Sequence, residues 1–382
     1  MKKQKSYPGL SELIGLFYSS ILNKTSPPLT PDSIINTVRI CELIGGKLKD
    51  SEAETERQAE ISFREAESKI LPAEADSGTI LVTGGTGFLG RFITAELRNN
   101  GWPVRVITRR MPFFAVRVPG VEYVVADLGE NVPADLLDGV DVIVHCAAET
   151  YGGKEEHERN SLGATRIIMD AAIKSGVKKF IHISSIAVMK SGSEIARPLD
   201  ENTPVDLDNL GRGPYVWGKA ESEKIALDLS RESGIEVRII RLGPLVDYDA
   251  FETPGRLGRE LGPVFLAMGN RLSKLPVCRV QTASQVIRSY VSDFNEAPQI
   301  LNLIEPDSTT RADLTTKLLK NRPDLKIIWM PFFMLKIISP CLKLLQLILR
   351  PGKNPIDIQA AFASEDYNIK LSDQIIQKAC NK

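Results

Sequence analysis

Apolar and polar positions divide the chain into three textures. Residues 1–78 carry two apolar helical patterns followed by an acidic stretch. In the second pattern Thr30-Pro31-Asp32 reads as an N-cap followed by Pro at the first helical position. Ile34, Ile35, Val38, Cys41 and Ile44 then supply one apolar face, and Gly45-Gly46 is expected to end that helix. Acidic residues outnumber basic ones from Asp50 to Asp76, which reads as a solvated helix or linker. From Thr79 β-branched apolar runs alternate with helical patterns. Strands are predicted at Ile80–Thr83, Val104–Thr108, Tyr123–Val125, Val142–Cys146, Lys179–Ile183 and Val237–Leu242. Gly101 and Gly176 close two of the intervening helices. Near-continuous apolar strands separated by helices predict a parallel sheet covered on both faces. The expected fold is therefore α/β, a Rossmann-type doubly wound domain over residues 79–250. Residues 251–382 form the expected substrate-binding region, with a strand at Ile300–Ile304 and a helix from Thr310 or Arg311.

Composition narrows the classes. Lys+Arg and Asp+Glu both number 48, so the net charge is zero, and nucleic acid is not an expected partner. Five Cys without a C-x-x-C pair make neither a disulfide framework nor a zinc ribbon, and no metal site is expected. Reduced thiols point to the cytoplasm. Met1-Lys2-Lys3-Gln4-Lys5 is basic, but Glu12 interrupts the apolar stretch after it, so no secretory signal is expected. No apolar run has the length of a membrane span.

The strongest chemical signal is Ile80-Leu81-Val82-Thr83-Gly84-Gly85-Thr86-Gly87-Phe88-Leu89-Gly90. Gly84 permits a sharp turn after a strand, Gly87 admits a pyrophosphate close to the backbone, and Gly90 lets the helix pack on the sheet. The helix N-terminus presents free N–H groups to the phosphates. NAD sites place a carboxylate about 20 residues further on, at the tip of the second strand. Here that tip reads Thr108-Arg109-Arg110, with two guanidiniums suited to a 2′-phosphate. NADP is the expected cofactor, with NAD as the alternative.

Pro214-Tyr215-Val216-Trp217-Gly218-Lys219 holds a Tyr-x-x-x-Lys pair, whose members share a helix face. A neighbouring ammonium favours a phenolate, so Tyr215 can exchange a proton with a carbonyl or alcohol. Upstream, Phe180-Ile181-His182-Ile183-Ser184-Ser185 reads as a strand ending in two hydroxyls at the ligand-bearing edge of the sheet. In this order the motifs resemble the extended short-chain dehydrogenase/reductase family, over residues 79 to 370. The likeness is to its NAD-dependent epimerase/dehydratase and 3β-hydroxysteroid dehydrogenase/dihydroflavonol reductase-like branches. The resemblance implies that Ser185, Tyr215 and Lys219 are catalytic. It also implies that Asp127-Leu128 contact adenine, that Ala147-Ala148 after His145-Cys146 lie beside the cofactor, and that Asn160 belongs to an Asn-x-x-Gly-x-Thr helix. Arg241-Leu242-Gly243 resembles the loop near the nicotinamide.

Departures from the family pattern matter. The dehydratases of the family place Asp-Glu after the catalytic hydroxyl; Ile186-Ala187 stand here. The expected function is hydride transfer between nicotinamide and a carbonyl or secondary alcohol of an apolar small molecule. The alternatives are a nucleotide-sugar epimerase with tightly bound NAD and a non-catalytic cofactor-binding regulator. The front segment resembles the C-terminal end of glucose–fructose oxidoreductase/inositol dehydrogenase-type enzymes; accessory helices are the other reading. A homodimer, and docking of another protein or domain by the front segment, are expected partner modes. In Phe332–Leu349 a narrow polar stripe of Lys336, Ser339, Lys343, Gln346 and Arg350 borders a wide apolar arc, with Pro340 expected to kink it. That arc suits either its own domain's core or peripheral membrane contact through residues 327–350.

Overall fold

The computed structural model describes residues 10–70, 78–130, 132–133, 135–190, 195–207, 210–251, 253–307, 309–349 and 365–380. Arg350 and the end of the acidic stretch lie outside them. The chain divides into two compact units, Met1–Glu65 and Ala66–Lys382.

The first unit holds α1 (Leu10–Leu22) and most of α2 (Pro31–Lys69). Thr30 caps α2 as expected, its Oγ1 accepting the Ser33 N–H at 3.2 Å. Gly45-Gly46 do not end it; the helix runs on for 39 residues in all. Two glycines cost about 2 kcal/mol relative to alanine, but a stop also needs a left-handed cap, which Leu48 and the following helix formers do not offer. No residue of α2 is buried, and Ile34, Ile35, Val38, Leu43 and Ile44 are exposed.

The second unit is built on a seven-stranded parallel sheet. Its strands are β1 (Thr79–Thr83), β2 (Val104–Thr108), β3 (Glu122–Val125), β4 (Val140–His145), β5 (Lys179–Ser185), β6 (Glu236–Leu242) and β11 (Ile300–Leu303). The order is β11-β6-β5-β4-β1-β2-β3, a doubly wound Rossmann arrangement whose winding reverses between β1 and β4. Alternate residues serve opposite faces. Ile80 and Val82 pack under α3 (Phe88–Asn99) and α7 (Val280–Ser292), through Ile93, Leu97, Val286 and Ile287. Leu81, Ile143, Phe180 and Val237 pack under α5 (Ala164–Ser175) and α6 (Pro214–Ser233), through Ile168, Met169 and Ala226. Each such side chain contributes about 1.5–3 kcal/mol by burial. Gly176 ends α5 in the left-handed region.

The expected break at 250 divides the chain less cleanly than the texture suggests, because β11 and α7 return to the sheet. The smaller layer holds β8 (Gly258–Leu261), β9 (Val264–Met268) and β12 (Lys326–Met330). It packs against α8 (Arg311–Asn321), which Thr310 and Asp313 cap reciprocally. A short parallel pair, β7 (Leu245–Val246) with β10 (Cys278–Arg279), links the layers. The apolar segment splits into β12 and α9 (Phe332–Leu349), and α10 (Lys370–Cys380) packs on α7 and the sheet. Pro340 lies inside α9 rather than dividing it. Within the described part of the polar stripe Ser339 is 5% exposed and Lys343 and Gln346 are half-buried, whereas Phe333, Met334, Ile337, Leu344 and Leu345 are exposed. Among the described residues no helix is long and apolar enough to cross a membrane.

Candidate active site

The loops after β1 and β4 meet at the reversal point. Gly84 has φ +66°, and a Cβ there would lie 2.9 Å from the Ala147 nitrogen. A Cβ on Gly90 would lie 2.1 Å from the Gly84 carbonyl oxygen, so α3 starts directly on the turn. Leu89 is buried in the core beneath the turn, and Phe88 packs beside it. Gly87 is the extended N-cap of α3, whose first N–H groups lack intrahelical partners. This is a cradle that fits a dinucleotide pyrophosphate and that side chains would fill.

A hydrogen-bond chain fixes the cradle to the rest of the site. Ala147 N–H donates to Thr83 Oγ1 at 3.1 Å, and Thr83 Oγ1 lies 2.8 Å from His145 Nδ1. His145 Nε2 lies 3.0 Å from Thr165 Oγ1, which donates onward to the Ser161 carbonyl at 2.8 Å. Thr165 thus accepts from His145, which sets the Nε2–H tautomer and leaves Nδ1 as acceptor. Burial holds this imidazole neutral, its pKa lowered to about 3. His182, beside it, is lowered by burial as well. Both histidines are core residues of the strands that carry the site.

At the far end of the cleft, Thr108 Oγ1 donates to the Arg110 carbonyl at 2.8 Å, and Arg109 and Arg110 are exposed at the tip of β2. Asp127 is already engaged. Its Oδ1 accepts the Gly129 N–H at 2.8 Å and its Oδ2 accepts Arg159 Nη2 at 2.7 Å. The Gly129 hydrogen bond, then Arg159 and Arg109, hold its pKa below the usual carboxylate range against the cost of burial. Leu128 points into the core. Asn160 lies in a π-helical turn, Glu158–Gly163, between α4 (Lys154–His157) and α5. Its Nδ2 donates to Glu149 Oε2 at 2.8 Å, and Glu149 Oε1 accepts the N–H groups of Thr150, Tyr151 and Gly152. Asn160 therefore shapes the loop after β4 through Glu149, beside Ala147 and Ala148.

Tyr215, Lys219 and Ser185 come together at the carboxyl end of β5. Lys219 is buried and its Nζ donates to the Ile183 carbonyl at 2.7 Å. Burial lowers its pKa to about 8, with Cys146 and Glu223 opposing. Burial raises the Tyr215 pKa, and a hydrogen bond with Ser185 and the charge of Arg256 act the other way. Ser185 and Arg256 thus favour the phenolate. Ser185 Oγ also accepts the Ala187 N–H at 3.2 Å, which fixes its rotamer.

Sequence reasoning missed Glu149, Arg159, Glu223 and Arg256. Glu223 had a signal, since it follows Lys219 by one helical turn. Arg256 had none: it reaches Tyr215 from the smaller layer, on a left-handed backbone with φ +72°. Among the described residues, no three His, Cys, Asp or Glu side chains are placed to hold a metal ion.

A glycine cradle at the reversal point of a parallel sheet, with a Tyr-x-x-x-Lys helix at the same edge, defines a domain of the extended short-chain dehydrogenase/reductase type. Residues 80–253, under half of this chain, match the NAD dependent epimerase/dehydratase family. The chain is similar to the UDP-glucose 4-epimerase of Vibrio cholerae, 32% identical over 183 residues, 44% of this chain and 52% of that protein. It is also similar to the dTDP-glucose 4,6-dehydratase of Streptomyces niveus, 30% identical over 199 residues, 47% of this chain and 56% of that protein. The chain spans about half the length of the curated relatives it matches. Among solved structures, gox2253 shares the fold with a TM-score of 0.61 and 20% identity, over 80% of this chain and 93% of that one.

Proposed function

We propose that the chain is an NADP-preferring oxidoreductase that moves hydride between nicotinamide and a carbonyl or secondary alcohol. The observation that carries this reading is the convergence of Ser185, Tyr215 and Lys219 at the edge that holds the glycine cradle. The bound dinucleotide supplies the hydride donor or acceptor. Tyr215 Oη gives its proton to the substrate oxygen in reduction and takes one back in oxidation. Ser185 Oγ orients that oxygen. Lys219, fixed by the Ile183 carbonyl, keeps a cation beside the cleft. Gly84, Gly87, Phe88, Leu89 and Gly90 shape the pyrophosphate cradle, with Ala147, Ala148 and Asn160 walling the nicotinamide side. Thr108, Arg109, Arg110, Asp127 and Leu128 lie at the adenosine end. Tyr215→Phe removes the proton donor and keeps the ring. It is expected to lower turnover by at least about 10²-fold, the low end for a general acid or base, with cofactor affinity retained. Unchanged turnover overturns the assignment.

One observation favours a second reading, the nucleotide-sugar epimerase. Arg256 lies within electrostatic reach of the Tyr215 phenol, and among the described residues its guanidinium holds no hydrogen bond. A cation placed there suits an anionic substrate. An apolar substrate is the reading that the wide apolar arc of α9 supports, whether α9 roofs the pocket or meets a bilayer. Stoichiometric NAD in the purified protein, with no net consumption of NADPH, selects the epimerase. The dehydratase chemistry of relatives is not proposed, because Ile186 and Ala187 offer no carboxylates after Ser185. Residues 1–78 are read as an accessory helical extension, and residues 251–382 as the substrate side.

A further inference from the structure

A fully buried ion pair lies one helical turn behind Lys219. Tyr215, Lys219 and Glu223 occupy i, i+4 and i+8 of α6, so a single face carries all three. Glu223 is 0% exposed and Arg241 on β6 is 2% exposed. Arg241 Nη2 donates to Glu223 Oε1 at 2.6 Å, and its Nε lies 3.1 and 3.2 Å from the two carboxylate oxygens. Ser184 Oγ donates to Glu223 Oε2 at 2.6 Å. Arg241 Nη1 reaches the Glu201 carbonyl at 3.5 Å, and Glu201 Oε1 accepts the Asn302 N–H of β11 at 3.0 Å. The carboxylate therefore ties α6 to β5 and β6, and through Arg241 and Glu201 to β11.

Stability is a weak reason for such a pair, since well-packed apolar replacements are often as stable or more so. Its position offers a better one. Lys219 grips the carbonyl of Ile183, Glu223 grips the hydroxyl of Ser184, and the next residue is Ser185. Two successive turns of α6 thus hold two successive residues of β5, directly before Ser185, which hydrogen-bonds Tyr215.

We infer that Glu223, clamped by Arg241, is a positioning residue: it fixes α6 over the end of β5 and keeps the Lys219 ammonium charged. The inference rests on the oxidoreductase reading of the same site. The groups around Lys219 are Cys146 and His145 from β4 and its end, His182 from β5, His157 from α4, Tyr215 and Glu223 from α6 and, on the far side of Glu223, Arg241 from β6. Burial lowers all three histidines and pushes the Cys146 thiol up to about 12, so these groups are neutral near pH 8. Glu223 is the carboxylate that acts on the ammonium.

The test uses the full chain labelled with 13C at lysine Cε, with Lys219→Arg assigning the resonance. In Glu223→Gln the buried Arg241 charge faces Lys219 without its counter-ion. The Lys219 titration is expected to move to lower pH, by about one unit. Turnover at pH 8 is expected to fall about fivefold, the change in charged fraction when a pKa near 8 drops by one unit. Glu223→Gln with Arg241→Met removes both charges and is expected to return the titration part of the way. Glu223→Asp, which keeps the charge, is expected to restore the titration more fully than turnover. A folded Glu223→Gln protein with the Lys219 titration unmoved overturns the inference. Should the single variant not fold, the double variant decides, and a titration identical to that of the unaltered chain overturns it. The resonance reports Lys219 whether or not the chain turns over. Absent turnover in the unaltered chain therefore counts against the oxidoreductase reading alone.

Discussion

At the residue scale, the site is a set of ionisable groups that burial holds in chosen states. His145 and His182 are neutral because their rings sit inside the sheet. The unfolded chain protonates both near pH 6.5, while the folded His145 resists to about pH 3. Below pH 6.5 the unfolded state binds more protons, so stability falls as pH falls. The slope is about 1.4 kcal/mol per pH unit for each histidine at its limit. The urea midpoint is expected to drop between about pH 7 and about pH 5. A midpoint constant over that range would show that neither ring is held neutral. The histidines were legible in the sequence as core residues, because they interrupt apolar strands. Their threonine partners were not, since Thr165 reaches His145 from a different element. Glu223 was legible only as a residue on the Lys219 face; its partner Arg241 arrives on β6 through tertiary packing.

At the element scale, the glycine turn, the strands and the Tyr-x-x-x-Lys helix were readable because each is a local pattern. Period two, period 3.6 and fixed glycine spacing leave marks that one sequence carries. Three features escaped for physical reasons. Gly45-Gly46 looked like a stop, yet solvent leaves room on every side of them and the helix continues. Residues 327–330 continued the apolar run of α9, yet they pair with β9 as a strand. The π-helical turn that places Asn160 has no sequence period of its own. Cofactor choice belongs to this scale too, because it resides in the tip of β2. No acid occupies Thr108-Arg109-Arg110, and both guanidiniums are exposed there. NADPH is expected to bind at least about tenfold more tightly than NADH, a margin of 1.4 kcal/mol. Thr108→Asp with Arg109→Ala is expected to reverse the order, by adding a ribose-binding carboxylate and removing a phosphate partner. Fluorescence titration of both dinucleotides checks this, and equal affinities in the unaltered protein refute the phosphate reading.

At the scale of the whole molecule, one unused apolar surface of the second unit lies on α9. Phe333, Met334, Ile337, Leu344 and Leu345 recur at three- and four-residue spacing, and all are exposed. Pro340 and Cys341 lie on the same face and are exposed. A soluble domain covers such a face or offers it to a partner. The expected partner is a bilayer surface, with α9 lying in the plane of the headgroups. Trp329 does not serve as an anchor, because it packs against the core of the smaller layer under Arg271. Phe333 and Ile337, 63% and 69% exposed, take that role. Full burial of one large apolar side chain contributes about 1.5–3 kcal/mol, so several together exceed the marginal binding that a single short acyl chain gives. The full chain is expected to float with liposomes, on neutral and on anionic vesicles alike. Ile337→Asp with Leu344→Asp places two charges on the face without touching Tyr215 or the glycine cradle. That variant is expected to stay in the soluble fraction with cofactor binding unchanged. An unaltered chain that remains soluble on both kinds of vesicle rules out the bilayer.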